Sequence, residues 1–196
     1  MTCPGGDLLP GVDGMTTQFP QRIPYPSGNE EAHGIYGPLT NGQRIAGHLP
    51  LAIQEGIRAL SRSLMGEGRL PPALRQMIIV RVGYHSNCIY EVEQHRSLAM
   101  KLKVKDSKLD ALARKATTGL DESEAAAIAF IDELMTSNRP SDLVLNEVRS
   151  RFNYGEILEM IFVAGNWWTL AKMLETAGVP LDESRIGDRT LKEVTL

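Results

Sequence analysis

The chain has 196 residues, of which 42% are hydrophobic and 23% are charged, as is typical of a water-soluble globular domain. Its formal charge of −3 makes binding driven by nucleic-acid phosphates unexpected, and it contains no run of about 18 apolar residues that could cross a membrane. The first residues lack the basic start and the apolar run of a secretory signal, and the 2 cysteines form no disulfide framework, so we expect a cytoplasmic protein.

The first fifty residues are rich in residues that interrupt regular structure, since they hold 7 of the 11 prolines and 9 of the 18 glycines. This density predicts an N-terminal arm over residues 1–47 rather than a second domain. The arm either packs along the rest of the chain or forms a disordered tail. The side chains that would pack are Ile23, Tyr25, Ile35 and Tyr36.

From residue 48 onward the spacing of apolar residues is helical, and no alternating pattern of a β-strand is present. We therefore predict an all-α domain, a helical bundle over residues 48–182, followed by a C-terminal tail over residues 183–196. In chain order, the predicted helices cover about 53–64, 72–82, 88–104, 107–116, 122–137, 142–151 and 154–177.

Several helix ends carry recognisable signals. Residues 83–87 are expected to form a turn, with Ser86 or Asn87 placed to cap the helix that starts near residue 88. Asp121 and Glu124 have the spacing of a capping box, and Gly178 is typical of a helix C-terminus. The helix before Gly178 has an apolar stripe at spacings of four and three, which predicts its core face as Ile157, Ile161, Ala164, Trp168 and Ala171.

The most informative residues share one face of the helix predicted near 88–104. Cys88, Glu91 and His95 are three and four residues apart and continue into Leu98 and Leu102, which are core residues by type. A carboxylate and an imidazole are costly to bury unless they are paired or hydrogen-bonded. These side chains therefore indicate either a pocket or a structural polar cluster.

Each of these residues has a chemical and a structural interpretation. Cys88 lies at a helix start, where the helix dipole favours a thiolate, but it could equally be a buried small residue. Glu91 could act as a general acid or base, or pair with Arg81 on the preceding helix. His95 could carry a proton to or from Glu91, and His85 is placed to line the same mouth.

Two further features bear on function: a candidate metal site and a pair of adjacent tryptophans. A metal site formed by Cys88, Glu91 and His95 is disfavoured, because its ligands would be spread over about 10 Å of helix. We therefore predict no metal. In the Asn166-Trp167-Trp168 segment we expect Trp168 in the core and Trp167 partly exposed or in a subunit contact, with Asn166 or one indole at the pocket mouth as the functional alternative.

The segments 74–83 (LRQMIIVRVG) and 87–95 (NCIYEVEQH) resemble the signature of the carboxymuconolactone decarboxylase family, which includes the alkyl hydroperoxidase D branch. The segment 168–182 is similar to the way in which many members end. The resemblance covers roughly residues 48–182. It implies an all-helical fold that assembles as trimers or hexamers and works without an organic cofactor.

The peroxidase branch of this family has a glutamate, eleven further residues, Cys-x-x-Cys, and a histidine four residues beyond. The matching positions here are Gln76, Cys88, Glu91 and His95. Because Glu91 replaces the second cysteine, the motif cannot form its disulfide, and because Gln76 replaces the acid, the proton relay lacks a carboxylate there. The Tyr90-Glu91 pair is similar to the decarboxylase-type branch, in which Glu91 would supply the acid.

The resemblance thus implies a cofactor-independent lyase or isomerase for a small oxygenated cyclic acid or lactone, with decarboxylation of a γ-carboxylactone as the model reaction. His95, with Glu91, would protonate carbon after carbon dioxide leaves, and Cys88 would belong to the same catalytic group. Candidate substrate-binding residues are Gln76, Tyr90, His85, Arg81, Asn166 and Trp168.

Two other functions stay open at this stage: a thiol peroxidase that uses Cys88 alone, and a non-catalytic helical oligomer that binds a small molecule or a protein. The apolar helix near 74–82 and the two tryptophans predict a homo-oligomer, a trimer or a hexamer. Beyond a small-molecule substrate and further copies of the chain, we expect neither nucleic-acid nor membrane partners. The arm over 1–47 would cover the pocket or a neighbouring subunit.

Overall fold

The computed structural model describes residues 20–28, 33–34, 37–114, 116–137 and 139–183. These residues form eight α-helices, a 3₁₀ turn at Ala46–His48, and an antiparallel pair of two-residue strands, β1 (His33–Gly34) and β2 (Gly37–Pro38). The helices are α1 (Asn41–Ile45), α2 (Leu51–Gly66), α3 (Pro72–His85), α4 (Ile89–Lys101), α5 (Asp106–Ala113), α6 (Glu122–Thr136), α7 (Asp142–Arg149) and α8 (Tyr154–Ala177). The all-α prediction is confirmed.

Helix α3 lies at the centre of the bundle and packs against α4, α5, α6 and α8. Every residue from Leu74 to Tyr84 is buried, because the run Met77-Ile78-Ile79-Val80 is apolar on all sides and neighbours cover each of them. The prediction that this helix is central is confirmed. Helix α3 also carries buried polar residues on two different faces, Gln76 on one and Arg81 on the other.

The α3–α4 junction differs from the predicted turn. Helix α3 continues through His85 and ends at Ser86, Asn87 has a positive φ of 52°, and Cys88 is the residue that precedes α4, without a side-chain capping bond. Gly83, predicted to start the turn, lies within the helix. A Cβ there would come 2.9 Å from Val92 Cγ2, so the glycine permits the close approach of α3 and α4.

The predicted capping signals at the later helices are confirmed. Asp121 and Glu124 form a reciprocal capping box at α6, and Gly178 ends α8 in the left-handed conformation at φ 65°. Gly178 also meets the arm: a Cβ at this position would lie 2.6 Å from the Pro20 carbonyl oxygen. A larger residue there would therefore strain the helix end and displace the arm.

Helix α8 is apolar around most of its circumference, and its core stripe is not the predicted one. The buried residues are 157, 160, 163, 164, 167, 171, 174 and 177. They include Ile157, Ala164 and Ala171 of the predicted face, but neither Ile161 nor Trp168. Trp167 is 4% exposed and Trp168 is 45% exposed, so the prediction that Trp168 is buried and Trp167 partly exposed is wrong. The outer face carries a second apolar stripe with Leu158, Ile161 and Trp168, beside Phe162.

In the described residues of the arm, the chain packs onto the end of α8. The backbone amides of Arg22 and Ile23 donate to the Ala177 carbonyl at 2.8 and 3.2 Å, and the Arg44 guanidinium lies 3.9 Å from the centre of the Tyr25 ring. Residues 20–28 therefore pack along the domain, which is one of the two predicted alternatives. Ile35 and Tyr36 lie outside the described residues. No helix in the described part of the chain is both long and apolar enough to cross a membrane.

Candidate active site

His95 lies between α3 and α8 and contacts three polar groups. Its Nδ1 is 2.7 Å from Gln76 Oε1, its Nε2 is 2.7 Å from Trp167 Nε1, and the same Nε2 is 3.3 Å from Glu91 Oε2. The Trp167 ring meets the imidazole edge-on, with centroids 5.5 Å apart. All four side chains are buried, and we refer to Gln76, Glu91, His95 and Trp167 as the imidazole cluster.

The partners of His95 define its tautomer. The indole N–H is a donor without acceptor capacity, so Nε2 accepts the hydrogen bond from Trp167. The Gln76 oxygen is an acceptor, so Nδ1 carries the proton and donates it. The orientation of the Gln76 amide fits this assignment, because its nitrogen lies 3.5 Å from the Met65 sulfur, which is a weak acceptor. His95 is therefore a neutral imidazole protonated at Nδ1.

Glu91 points inward because α4 presents its 88–91–95 face to α8, as the spacing predicted. Glu91 contacts His95, one helical turn away, with 3.3 Å between Oε2 and Nε2. The alternative prediction, that Glu91 pairs with Arg81, is wrong. The sequence therefore brought Glu91 and His95 together, and the structure shows that Gln76 and Trp167 bind the two ring nitrogens of His95.

Arg81 and His85 belong to a separate cluster on another face of α3. The Arg81 Nε and Nη2 atoms bind the two Asp132 oxygens at 2.5 and 3.0 Å, and Arg81 also donates to the Leu112 carbonyl. His85 Nε2 lies 2.8 Å from Asp132 Oδ1. The structure therefore does not place Arg81 or His85 beside His95, as their predicted role in substrate binding required.

Asp132 is ionised in this second cluster. Burial by itself raises the pKa of a carboxyl group, but hydrogen bonds from His85 and Arg81, with their charges, outweigh burial and hold the Asp132 pKa below its ordinary value. The carboxylate joins α6 to two turns of α3. We refer to Arg81, His85 and Asp132 as the aspartate cluster, and we assign it a structural role.

Cys88 lies at the far end of the same α4 face, beneath the arm. It is fully buried in a small apolar cluster with Ile45, Leu174 and Ala177. Burial raises the pKa of the Cys88 thiol well above its usual range. The prediction that the helix start favours a thiolate is therefore wrong: Cys88 is a protonated thiol.

Tyr90 does not face the imidazole cluster. It links α4 to α1 and to the segment that follows α8. Its hydroxyl donates to Asp182 and accepts from the Gly42 amide at 3.1 Å. Asp182 also accepts from Gln94 Nε2 at 2.8 Å and from the Asn41 amide at 2.6 Å. The predicted substrate-binding role of Tyr90 finds no support in this placement.

The remaining candidates lie on α8. Asn166 donates to the Ser61 hydroxyl at 3.2 Å and links α8 to α2, while the exposed Trp168 ring lies beneath Lys172. Of the nine predicted site residues, the structure brings together Gln76, Glu91 and His95. Trp167 was missed as a site residue, although the sequence reasoning had singled out its segment, because α8 is apolar on both faces.

Two open grooves lie near the start of α8, away from the imidazole cluster. Their volumes are about 470 and 370 Å³, and Arg149 and Tyr154 line both of them. Within the described residues, no group of three or more His, Cys, Asp or Glu side chains is arranged to hold a metal ion.

The model of the carboxymuconolactone decarboxylase family matches residues 52–133, which include Gln76, Cys88, Glu91 and His95. The resemblance seen in the two sequence segments is confirmed over this region. Among curated proteins, none matches the chain.

Solved structures with the same fold come from proteins of low sequence identity. An alkylhydroperoxidase AhpD core, a peroxidase-related protein from Ralstonia eutropha JMP134, has a TM-score of 0.67 at 17% identity over 74% of this chain and 78% of its own. A protein from Agrobacterium tumefaciens described as an AhpD-type antioxidant defence protein has a TM-score of 0.65 at 17% identity over 71% and 96%. The debrominase Bmp8 in complex with 2,3,4-tribromopyrrole also has a TM-score of 0.65, at 17% identity over 80% and 83%. These matches establish the fold.

Proposed function

Since residues 52–133 match the carboxymuconolactone decarboxylase family and the chain has the AhpD-like fold, we propose that it is a cofactor-independent lyase or isomerase acting on a small oxygenated cyclic acid or lactone. The observation that carries the proposal is the Glu91–His95 pair, held at 3.3 Å between Gln76 and Trp167. A carboxyl group and an imidazole at this distance can deliver one proton to a substrate atom. We place the reaction in the cytoplasm.

The proposed reaction is decarboxylation of a γ-carboxylactone. The bond between the ring carbon and the carboxylate breaks, carbon dioxide leaves, and the electron pair passes into the unsaturated lactone carbonyl as an enolate. The Glu91–His95 pair then gives one proton to carbon, and the pair regains that proton from solvent. An isomerase would use the same pair to remove a proton from one carbon and return it to another.

The surroundings of the pair suit such an intermediate. Gln76, Glu91, His95 and Trp167 are each at most 5% exposed, so a carbanion formed there would be shielded from bulk water. A solved structure with the same fold holds a small ring compound, 2,3,4-tribromopyrrole, which supports a small cyclic substrate for this scaffold. Substrate entry would require α2 to move, because its Met65 lies against Gln76 of the cluster.

The proposal is tested by incubating the purified protein with 4-carboxymuconolactone and with a panel of related unsaturated carboxylactones. In deuterium oxide, the product should carry one deuterium on a ring carbon of the conjugated enolate, and carbon dioxide should appear in equal amount. The same panel with the Glu91→Gln protein is the control. Turnover that is equal in both proteins would overturn the assignment of the pair.

A thiol peroxidase is the main alternative, because solved proteins of the same fold are described as peroxidase-related. The chemistry of Cys88 argues against it. The thiol is fully buried, its pKa is raised, and Glu91 stands where a second cysteine would be needed to resolve a sulfenic acid.

We therefore expect turnover to be independent of redox state. Cys88→Ala should lower turnover less than Glu91→Gln does, and addition of a strong reductant should leave the rate unchanged. The measurement is the initial rate with and without reductant, with a hydroperoxide assay in parallel. Hydroperoxide reduction that disappears in Cys88→Ala would favour the peroxidase, as would a disulfide between Cys88 and Cys3, which lies outside the described residues.

A second alternative is a binding protein in which Glu91 and His95 are a closed structural pair. The two grooves near the start of α8 lie away from this pair, which is the observation that favours it. The activity and the melting temperature of Glu91→Gln, measured on one preparation, separate this alternative from the enzyme.

We also propose a homo-oligomer, a trimer or a hexamer, and the outer face of α8 supports it. A helix that is apolar on both sides is normally covered on both sides, yet Phe162 is 60% exposed and Trp168 is 45% exposed. Exposed Ile53 and Leu60 on the neighbouring helix α2 extend this apolar surface. The central helix α3, which suggested an oligomer from the sequence, is covered within one chain.

Light scattering at micromolar concentration should therefore give a mass that is a multiple of 21.6 kDa, and about three times that value for a trimer. Phe162→Glu should shift the mass toward 21.6 kDa, because it places a charge within the apolar face. Leu143→Glu, at an 80% exposed position on α7, is the matched control and should leave the mass unchanged. A wild-type mass of about 22 kDa would contradict the oligomer.

A further inference from the structure

The indole of Trp167 makes the shortest contact to the reactive side of His95, and neither the family match over 52–133 nor the proposed reaction accounts for it. We propose that Trp167 is a positioning residue that keeps the one proton shared by Glu91 and His95 on Glu91, so that Glu91 is the general acid. The catalytic consequence rests on the proposed function, whereas the position of the proton does not.

The first step of the argument is the occupancy of His95 Nε2. This nitrogen has one lone pair in the plane of the ring, and the Trp167 N–H points to it over 2.7 Å. Because the indole nitrogen donates and never accepts, Nε2 cannot carry a proton while this hydrogen bond exists. The indole thus excludes the imidazolium form as long as the contact is intact.

The second step is that the ring cannot escape by exchanging tautomers. The Nδ1 proton is held by Gln76 Oε1 at 2.7 Å, on the opposite side of the ring. Moving that proton to Nε2 would leave Gln76 Oε1 and the indole N–H, both buried, without their hydrogen bonds. Gln76 and Trp167 therefore act together on the two nitrogens and select one neutral tautomer.

The third step concerns Glu91. Its Oε2 atom lies 3.3 Å from the same Nε2, so an ionised carboxylate would face the nitrogen lone pair. A protonated carboxyl can instead share that lone pair with the indole N–H, as the weaker donor of a bifurcated hydrogen bond. Glu91 is 5% exposed and has no cation among the partners described for it, so the neutral acid also avoids a buried charge. The proton of the pair therefore belongs on Glu91.

The sequence indicated that Glu91 and His95 transfer the proton together, whereas this assignment gives them separate roles. Glu91 delivers its proton to the substrate carbon and becomes a carboxylate, and His95 remains neutral and orients it through Nε2. The cycle closes when Glu91 takes a proton from solvent. Each turnover uses one proton and needs no oxidant or reductant. In many sites a carboxylate at Nδ1 sets the protonation state of a histidine. Here a tryptophan N–H at Nε2 sets the protonation state of His95.

The first test uses the wild-type protein and needs no substrate. With uniform ¹⁵N labelling, a scalar coupling across the N–H···N hydrogen bond should connect Trp167 Nε1 with His95 Nε2. The two His95 ring nitrogens should show the widely separated shifts of a single neutral tautomer protonated at Nδ1. The infrared spectrum should show the carbonyl band of a buried carboxylic acid, and Glu91→Gln should remove it. Absence of the coupling, or an imidazolium pattern at neutral pH, would overturn the proposal.

The second test compares Trp167→Phe with the matched variant Trp168→Phe, which makes the same change at the exposed neighbour. Trp167→Phe should abolish the carboxylic-acid band, give His95 the shifts of mixed or charged forms, and lower kcat about fivefold to tenfold with little change in KM, as expected for one lost hydrogen bond. Trp168→Phe should leave the carboxylic-acid band and the His95 ring-nitrogen shifts unchanged. If Trp167→Phe fails to fold, the wild-type coupling decides the question.

The outcomes separate this proposal from the proposed function. A protein without lyase or isomerase activity that still shows the coupling and the carboxylic-acid band would retain the proton assignment and lose the function. A Trp167→Phe protein that keeps both the band and the ring-nitrogen shifts of the wild type would overturn the positioning role, whatever the activity assays show.

Discussion

Glu91→Gln should lower turnover by about 10²–10⁴-fold and leave the melting temperature nearly unchanged, the range expected for loss of a general acid. The substituted amide keeps the volume of the side chain and can still donate to His95 Nε2 across the 3.3 Å contact, so the buried cluster stays satisfied. What is lost is the proton that can be transferred. Initial rate and thermal unfolding of the same preparation are the measurements.

Glu55→Gln is the matched control, because this substitution makes the same chemical change at an exposed position on α2, outside the imidazole cluster. It should alter neither the rate nor the melting temperature. If Glu91 and His95 are instead a structural pair, Glu91→Gln should lower the melting temperature while the folded protein keeps its specific activity. That result would contradict the catalytic assignment.

His95→Ala is a less discriminating variant than Glu91→Gln, for a reason that the structure supplies. His95 satisfies Gln76 Oε1 and the Trp167 N–H, so its removal leaves both groups unpaired and opens a cavity. Loss of stability would therefore accompany loss of activity under either hypothesis. The sequence, which showed one partner for His95, gave no reason to expect this.

The helical domain could be predicted because its signals are local. Capping boxes, Gly178 and the spacing of apolar residues depend on neighbours within four positions, and the helix bounds followed from them. The same locality placed Cys88, Glu91 and His95 on one face of α4. The two short strands in the arm involve two residues each, which is below the length at which alternation can be read.

The errors arose where the choice depends on another part of the chain. On α8, apolar residues surround the helix, so periodicity could not select between the Trp167 face and the Trp168 face, and the predicted stripe combined residues of both. Arg81 was an alternative partner for Glu91 because it lies on the preceding helix. Its partner, Asp132, is 51 residues away, and no local pattern links the two.

Helix α3 thus carries two buried polar groups on different faces. Gln76 faces α4 and α8 and belongs to the imidazole cluster, whereas Arg81 faces α5 and α6 and belongs to the aspartate cluster. The two clusters share no hydrogen bond in the described residues. Substitutions in the first should therefore change chemistry, and substitutions in the second should change the free energy of unfolding.

Arg81→Met should produce the largest loss of stability, about 3–5 kcal/mol, because it leaves Asp132 without its two-pronged partner and the Leu112 carbonyl without a donor. Asp132 is 31% exposed, so water will solvate part of its charge, and the lower end of that range is expected. At about 2–4 °C per kcal/mol for a chain of this size, the melting temperature should fall by at least about 6 °C.

Arg81→Met combined with Asp132→Leu provides the internal comparison, since it removes both charges and should recover much of the stability that the single variant loses. The sign of the pH dependence gives a second check. The Asp132 pKa is lowered in the folded protein, so the stabilisation is present above the unfolded carboxyl pKa of about 3.9 and is lost as the pH falls through the folded value. The slope of stability against pH below about pH 4 should therefore be smaller in Arg81→Met than in the wild type. A single variant that unfolds at the wild-type temperature, or a double variant less stable than the single one, would show that the aspartate cluster does not hold α3 to α6.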